Sequence, residues 1–434
     1  WAALQLLSMG REQWADRLAE LLPDCDLRFR LMAGHMLRKV GRDAPAGSLE
    51  GLTEAGRDVG ELDVIHRDVL LIHPKVEGYE VANVLAESGL SVFPHGNWAT
   101  RFYIDWVHTS PQWRRSGLSR QAFRAAMEHE EAQRCSCFAL NTGTRNSAHA
   151  LYREFGYVDM DRREKATRRL CLGAAYTPPD GVLIRPVTDD DREGVRRFLI
   201  DYHEDSFMLS PLPVPELGEG AFAAIAERDG KLIGAALARY NEGDDAGLVE
   251  VAVSEDEKQR PEIGVAMLAR VHAMLAGEGA KTVTARVCSD AGLFTNVLCR
   301  SGYSREATQG VNMFGIRDLA HLFAEIRPLF ERRLRETPFE DWRGRILLLG
   351  ERLNSGLALE DGEAQVLDAP EPQPLDVVLR TTDERITRIV TGRETPLEGY
   401  LPRDTEISPQ VSPLVMKLLE TLFPEVPFVL RWGW

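Results

Sequence analysis

A basic turn in front of a helix-forming segment is the stretch of this sequence best suited to chemistry. In residues 110–123, "SPQWRRSGLSRQAF", Arg114 and Arg115 stand just before Ser116 and Gly117. Successive backbone N–H groups in such a turn point inward and bind an anion, and the start of a helix adds partial positive charge. Gly117 leaves room for close approach of a ligand, and the two guanidinium groups add charge-assisted bonds. The stretch therefore predicts a seat for a phosphate group.

The segments around this turn predict a strand, the turn, a long helix, a second strand and a short helix. Aromatic and β-branched residues indicate strands, and an uninterrupted run of helix formers indicates a helix. The segments are "FYIDWV" (102–107), "SRQAFRAAMEHEEAQ" (119–133), "CSCFALN" (135–141) and "NSAHALYREFGYV" (146–158), the last with a helix stop at Gly156.

The same pattern begins again after "GAAYTPPDG" (173–181), which is rich in Pro and Gly and predicts a linker. A hairpin is predicted at Asp229-Gly230. The further segments are "VLIRPVTDDDREGVRRFLIDY", "GLVEVAVS", "GVAMLARVHAMLAGEG", "KTVTARVC" and "GLFTNVLCRSGYSRE". Because "LYREFGY" of the first stretch is answered by "LCRSGY" in the second, we predict a tandem repeat of one fold.

A third segment starts near Gly315. The run "IRDLAHLFAEIRPLFERRL" predicts one amphipathic helix, and the rest predicts a small α+β domain with an exposed loop, "APEPQP", at 369–374. Near the other end, "REQWADRLAELL" (11–22) has helical spacing. The predicted fold class is mixed, α+β with α/β, in three domains at 1–175, 176–314 and 315–434.

Composition limits the class of protein and of partner. The 434 residues carry a net charge of −15, which argues against nucleic acid because phosphate backbones demand a basic surface. The sequence lacks a run of eighteen apolar residues, so we expect no membrane span. The six cysteines lack C-x-x-C spacing, and we expect reduced thiols in a cytoplasmic protein. The histidines lack metal-ligand spacing, so no metal is expected. Since the first residue is Trp, we expect further residues before it.

The basic turn resembles the cofactor loop of the GNAT superfamily of acetyl-CoA-dependent N-acetyltransferases. The family pattern is a strand ending in apolar-x-Val-x-Pro, followed by Q/R-x-x-G-x-G/A at the start of a helix. Arg114, Gly117 and Ser119 fill the loop positions, and Pro111 stands at the position of the family's proline. Thr109 replaces the usual valine, and Ser119 the usual last Gly or Ala. The resemblance implies that this loop binds the pyrophosphate of acetyl-CoA.

The segment "NSAHALYREFGY" resembles a second motif of the family, and this resemblance implies chemical roles for its residues. Tyr152 takes the tyrosine position, where the hydroxyl protonates the departing thiolate. Asn146 lies one residue closer to the tyrosine than the family's asparagine, so Asn141 is kept as an alternative contact. Backbone donors at the strand end polarise the thioester carbonyl and hold the pantetheine. The implied cofactor-binding residues are Val107, His108, Thr109, Arg114, Arg115, Ser116, Gly117, Leu118, Ser119, Asn141 and Asn146.

An amine must lose its proton before it attacks, and the sequence offers several bases. Asp105 lies four residues before the valine position, where many members of the family carry a glutamate base. The histidines His108 and His149 are further candidates, each expected to be structural.

The second repeat keeps the pattern without the functional residues. Its loop, "SEDEKQRPEIG", is acidic and would repel a pyrophosphate, and Pro261 removes one backbone donor. Cys299 stands at the position of Tyr152. We therefore predict a GNAT-like domain that does not bind acetyl-CoA.

The whole order of domains resembles the Eis-type (enhanced intracellular survival) acetyltransferases, as does the loop "PQWRRSGLSR". This resemblance implies a third domain similar to sterol carrier protein, a hexameric homo-oligomer, and acetylation of amines on substrates such as aminoglycosides. It also implies that the carboxylate of the last residue, here Trp434, acts as the base, so Trp434 and Asp105 remain alternatives.

Our sequence-based hypothesis is therefore transfer of acetyl from acetyl-CoA to a primary amine of a small molecule or peptide, aminoglycoside-like or polyamine-like. Two alternatives are kept: a lipid-binding or apolar-ligand-binding protein that uses the C-terminal domain, and a sensor that binds acetyl-CoA without turnover. Turnover with a panel of amines separates all three.

Overall fold

The computed structural model of the chain describes Leu37 and residues 61–66, 70–76, 79–80, 82–109, 117–170, 177–209, 221–240, 245–288, 292–335, 337–400, 405–408 and 412–429. The helix predicted at 11–22, the loop residues Arg114, Arg115 and Ser116, and the C-terminal Trp434 lie outside the described residues.

The chain divides into two compact units, one of residues 1–89 and 102–135 and the other of residues 90–101 and 136–434. The elements of the first unit, two of which continue in the second, are β1 (Glu61–His66), β2 (Leu70–Val76), β3 (Tyr79–Glu80), β4 (Ala82–Phe93), β5 (Asn97–Thr109), α1 (Leu118–Glu128) and α2 (Glu130–Gln133). Strand β2 pairs antiparallel with β1, β3 and β4. Helix α1 packs against β2 and buries Ala122, Phe123 and Ala126.

The helix predicted over residues 119–133 is two helices. His129 has an extended backbone (φ −65°, ψ 148°), which ends α1. Its ring then starts α2, because Nδ1 accepts a hydrogen bond from the N–H of Glu131 at 3.3 Å. The run of helix formers is therefore divided at His129, where the side chain caps a second helix.

The second unit opens with a large sheet and its helices. The elements are β6 (Cys137–Gly143), α3 (Ala148–Glu154), β7 (Val158–Arg169), β8 (Leu183–Pro186), α4 (Arg192–Tyr202), β9 (Phe207–Met208), β10 (Ala221–Arg228), β11 (Lys231–Tyr240), β12 (Asp245–Val253), α5 (Arg260–Gly277), β13 (Thr282–Cys288), α6 (Gly292–Arg300) and β14 (Ser304–Ile316).

Two strands are exchanged in the middle of this sheet. Within the second unit the strand order is β6-β14-β7-β13-β12-β11-β10-β8. Strand β14, from the second of the two similar stretches, pairs with β6 of the first, and β7 of the first pairs with β13 of the second. The two exchanged strands also pair antiparallel with each other. Each stretch therefore completes the sheet of the other.

Helix α5 covers the half of the sheet formed by the second stretch. It packs on β10, β11 and β12 and buries Ile263, Met267, Leu268 and Val271. The helix begins at Arg260, inside the segment predicted as a loop, with Pro261 in its first turn. Proline suits this position because its missing N–H would have no partner within the helix there.

The last segment forms a separate five-stranded sheet with helices. Its elements are α7 (Leu319–Glu325), α8 (Arg327–Arg335), β15 (Gly344–Leu349), β16 (Asn354–Glu360), β17 (Glu363–Asp368), β18 (Val377–Arg380), α9 (Asp383–Val390), α10 (Pro396–Tyr400), β19 (Glu406–Ser408), α11 (Pro413–Leu422) and β20 (Phe428–Val429). The sheet order is β17-β16-β15-β18-β19. Strand β20 instead pairs parallel with β9, placing Phe428 opposite Phe207.

The single helix predicted over residues 316–334 is divided into α7 and α8. Ile326 ends the first helix, and Pro328 stands at the second position of the next. Proline cannot donate to the carbonyl four residues earlier, and its ring clashes with that carbonyl. The predicted hairpin at Asp229-Gly230 and the exposed loop at 369–374 are both confirmed.

Candidate active site

The end of β5 and the start of α1 are held together within the first unit. The last residues of β5 include four of the predicted site residues. All four are half-buried: Asp105, Val107, His108 and Thr109. The hydroxyls of Thr109 and Ser119 form a hydrogen bond, which joins the strand end to the first turn of α1. The two small departures from the family pattern thus contact each other.

Gly117 starts α1 in a left-handed backbone conformation, with φ of +86°. Its carbonyl accepts the N–H of Gln121 at 3.0 Å, which closes the first helical turn. A Cβ at this position would meet nothing within 4 Å, so the backbone conformation rather than space favours glycine. The first N–H groups of a helix have no partner inside it, so this end of α1, with Leu118, offers donors to an anion.

Asn141 and Asn146 have different surroundings in the second unit. Asn141 is half-buried on β6, directly opposite Asn312 of β14. Asn146 uses both ends of its side chain locally: Nδ2 donates to Thr142 Oγ1 at 3.2 Å, and Oδ1 accepts the N–H of Ala148 at 3.1 Å. Asn146 therefore helps to start α3, and both ends of its side chain are used within the fold.

Tyr152 is the buried residue of α3, with 5% of its surface exposed. Burial raises the pKa of its phenol to about 12, because the charged phenolate is poorly solvated there. Its backbone carbonyl accepts the N–H groups of Phe155 at 3.0 Å and of Tyr157 at 3.2 Å. The Tyr152 and Tyr157 rings lie 6.1 Å apart, and Tyr157 packs on Phe138 at 4.4 Å. The phenol is therefore protonated across the neutral range.

His149 belongs to the scaffold of this helix. Its Nε2 lies 2.8 Å from Oδ1 of Asp159, at the start of β7. The contact ties the first turn of α3 to the strand that follows it, as expected for a structural histidine.

A charged cleft of about 350 Å³ lies beside the turn that follows α3. Its walls come from residues 153–158 on one side and from two turns of the last segment on the other. The lining residues are Arg153, Gly156, Tyr157, Val158, Glu351, Arg352, Thr382, Asp383 and Glu384. The sequence indicates a helix stop at Gly156, but it gives no signal for the lining residues of the last segment, which lie about 200 positions further along the chain.

The corresponding region of the second stretch presents paired charges. Glu257 and Glu262 form ion pairs with Arg228 and Arg300, and Glu255 lies 3.8 Å from Arg260. Cys299, at the position equivalent to Tyr152, is an exposed free thiol. Cys135 and Cys137 are buried thiols outside any disulfide.

Across the described ranges, no group of three or more His, Cys, Asp or Glu side chains could hold a metal ion. In the same part of the chain, no helix is both long and apolar enough to cross a membrane.

The region that contains the end of β5, the start of α1 and Tyr152 matches a known protein family. Residues 81–157 match the acetyltransferase (GNAT) family. This segment is a GNAT acetyltransferase domain. It includes the end of β5, the start of α1 and the Tyr152 helix, so the enzyme class predicted from the sequence, an N-acetyltransferase, is confirmed. The search of the curated proteins found no match.

Two solved structures share the fold over most of the chain. A probable N-acyltransferase of unknown function from Enterococcus faecalis is 12% identical with a TM-score of 0.57, and the match covers 85% of this chain and 90% of that one. A GCN5-related N-acetyltransferase from Anabaena variabilis is 12% identical with a TM-score of 0.53, covering 83% and 88%. The mixed α and β architecture with several sheets is therefore shared with these two proteins.

The structural neighbours also include Eis1 from Mycobacterium abscessus. It is 11% identical with a TM-score of 0.46, and the match covers 82% of this chain and 88% of that one.

Proposed function

We propose that the protein transfers the acetyl group of acetyl-CoA to a primary amine by direct attack of the amine on the thioester, with Tyr152 as the acid. The observation that carries the proposal is the buried, protonated phenol of Tyr152 within a GNAT domain. The reaction forms an amide bond, breaks the carbon–sulfur bond and passes the phenol proton to the departing thiolate.

The raised pKa of Tyr152 is compatible with this role. A free thiol has a pKa of about 8.5 in water, below the value of about 12 for the buried phenol, so this phenol would be a poor donor to a thiolate in water. A thiolate that leaves beside the buried phenol also loses solvation, which raises the pKa of the thiol in the same direction. The difference between the two pKa values is then smaller than the value for a thiol in water indicates.

The cofactor pyrophosphate is proposed to bind at the start of α1. Gly117 and the free N–H groups of the first helical turn provide donors, and the Thr109–Ser119 hydrogen bond fixes this end of the helix beside β5. Arg114, Arg115 and Ser116 would complete the loop, and the backbone of Val107–Thr109 would hold the pantetheine. Asn141 is the preferred polar contact, because the side chain of Asn146 is used within the fold.

The base that receives the amine proton is proposed to be Asp105 or, in a chain that ends at Trp434, the terminal carboxylate. Asp105 is half-buried near the end of β5. Both are carboxylates, so the chemistry is the same and only kinetics of variants separates them.

The domain organisation is proposed to be a tandem of GNAT folds with a third domain similar to sterol carrier protein. Support for the tandem comes from the exchanged strands, since β14 pairs with β6 in the way that β7 pairs with β13. Loss of cofactor binding in the second fold is supported by Cys299 in place of a tyrosine and by ion pairs that engage Arg228 and Arg300 with glutamates rather than with a phosphate. An aminoglycoside-like or polyamine-like substrate, a hexamer and a cytoplasmic location follow from the Eis resemblance alone.

The experiment is free-thiol release from acetyl-CoA with a panel of aminoglycosides, polyamines and N-terminal peptides, for wild type and Tyr152→Phe. We expect amine-dependent release that falls at least ten-fold in the variant, which corresponds to about 1.4 kcal/mol of barrier. Acetyl-CoA affinity, measured by calorimetry, should stay the same in both proteins.

Equal rates in the two proteins would contradict the acid role of Tyr152. Binding of acetyl-CoA without release for any amine would favour the sensor alternative, and absence of binding would overturn the cofactor site.

A further inference from the structure

The last segment of the chain contacts the Tyr152 helix at the turn that ends it. Gly156 follows α3 with φ of +88°, its N–H donates to the carbonyl of Arg153 at 3.0 Å, and the N–H of Tyr157 donates to the carbonyl of Tyr152 at 3.2 Å. The turn and the backbone of Tyr152 therefore move together.

The guanidinium of Arg352 occupies the space beside Gly156. A Cβ on Gly156 would lie 2.5 Å from Arg352 Nη2. Arg352 is held in turn by Asp383, whose Oδ2 accepts from Nε at 2.9 Å and whose Oδ1 accepts the N–H groups of Arg352 and Leu353, each at 3.1 Å. The guanidinium beside the turn after α3 is thus held through Nε by Asp383, and the same carboxylate holds the backbone of Arg352 and Leu353.

The contact continues along α9 on both sides of this point. Glu384 accepts from Arg153 Nη2 at 2.9 Å, at the end of α3. Arg388 donates from Nη2 to the carbonyl of Asp159 at 2.8 Å, and the carboxylate of Asp159 bonds His149 in the first turn of α3. Both ends of the helix are therefore connected to α9. We call Arg352, Asp383, Glu384 and Arg388 the clamp.

We propose that Arg352 and Arg388 are positioning residues that hold the phenol of Tyr152 in place for proton transfer; the inference rests on the proposed function of Tyr152 as the acid. The clamp bonds the Arg153 side chain and the Asp159 carbonyl of β7 and fills the space beside Gly156, and none of these contacts involves the phenol. Misplacement of a reacting group by about 1 Å can cost about 100-fold in rate, so a modest shift of α3 would slow the reaction.

The two clamp arginines differ in exposure, with 61% of the Arg352 side chain and 28% of the Arg388 side chain exposed. Exposed ion pairs contribute little to stability, so removal of the Arg352 charge should be tolerated, and the melting temperature measures the cost of removing Arg388. Variants that remove these charges should fold, so a rate effect can be separated from unfolding.

The experiment compares Arg352→Gln/Arg388→Gln with a matched control, Arg343→Gln/Arg345→Gln. In the same segment Arg343 forms an ion pair with Asp361 at 2.8 Å, and Arg345 donates to the backbone carbonyl of Glu371 at 3.2 Å. The control therefore removes the same two kinds of contact away from α3. Both pairs of changes are made in the wild type and in Tyr152→Phe.

In the wild type we expect the clamp variant to lower kcat at least five-fold, with KM for acetyl-CoA within two-fold, and the control to leave both unchanged. In Tyr152→Phe the clamp changes should have no further effect on kcat, because there is then no acid to position. Melting temperatures of clamp and control variants should agree within a few degrees.

Three outcomes would overturn the inference. An unchanged kcat in the clamp variant, with Tyr152→Phe still slow, would overturn it alone. The same five-fold fall in the Tyr152→Phe background, or in the control, would show a general structural effect. Equal kcat of wild type and Tyr152→Phe would overturn the acid role and the inference with it.

Discussion

Burial acts on two aromatic side chains of this protein in opposite directions, each time against the charged form. It raises the pKa of Tyr152 to about 12, and together with the positive charge of Arg168 it lowers the pKa of His272 to about 3. Both groups are therefore neutral at pH 7. The neutral form of Tyr152 carries a proton that it can give up. The neutral form of His272 lowers the free energy of unfolding in acid, because the unfolded chain can take up a proton there that the folded chain cannot.

His272 makes the stability of the fold sensitive to acid. It is 7% exposed and its Nε2 lies 2.7 Å from the hydroxyl of Tyr303. The unfolded histidine gains a proton below pH 6.5 and the folded one only near pH 3, so stability is lost as pH falls through this window. At pH 5 the loss is about 2 kcal/mol.

We expect His272→Gln to lose less of its melting temperature than wild type between pH 7.5 and pH 5, because glutamine does not titrate. The matched control is His321→Gln, at a histidine that is 37% exposed. Equal losses in wild type and His272→Gln would contradict the role of this buried histidine.

At the scale of elements, the sequence predicted the helices, strands and turns that depend on interactions between residues close together in the chain. The strand at 102–107, the short helix with Tyr152 and the hairpin at Asp229-Gly230 all appear where the sequence indicated. The breaks at His129 and Ile326 were missed, because a single capping ring or a single proline outweighed a long favourable run. The exchange of β7 and β14 was also missed, since periodicity predicts strands and says nothing of which strands pair.

The exchanged strand β14 imposes a requirement for glycine that the sequence alone does not reveal. A Cβ at Gly315 would overlap Cε2 of Phe138 on β6 and lie 2.7 Å from the carbonyl oxygen of Gly156. Neither the packed ring nor the backbone can move without disturbing the turn after α3. Overpacking of this kind costs about 1–3 kcal/mol or more.

We therefore expect Gly315→Ala to lower the melting temperature by several degrees and to lower kcat as well. The control is Gly277→Ala at the last residue of α5, where a Cβ meets nothing within 4 Å. Alanine favours the helix, so this change should be neutral or stabilising by up to about 1 kcal/mol. A Gly315→Ala protein as stable as wild type would contradict the close packing of β14 on β6.

At the scale of the whole molecule, the sequence predicted only those candidate site residues that lie close together in one segment of the chain. Gly117, Ser119 and Tyr152 lie within 36 positions of one another and match a known pattern. The clamp was not predictable, because Arg352 and Arg388 lie far along the chain from Tyr152 and come near its helix only in the folded structure. Residues that act through the tertiary structure leave no spacing for sequence analysis to detect.

Two carboxylates that lie far apart in the sequence are candidates for the base that takes the amine proton. Asp105 lies near the end of β5, and the alternative is the carboxylate of Trp434 in a chain that ends there. Asp105→Asn removes one candidate, and a Gly-Ser-Gly extension after Trp434 displaces the other without altering any side chain. The control for a lost charge is Asp201→Asn, at an exposed residue of α4.

General-base catalysis contributes about 10²–10⁴-fold to a rate. We expect one of the two changes to lower kcat/KM by at least 100-fold at pH 7, while the other change and the control stay within three-fold of wild type. Raising the pH should partly restore the affected variant, because a larger fraction of the amine is then already deprotonated. Near-normal rates in both variants would exclude both carboxylates, and the amine would then have to lose its proton to another group or to water before it attacks.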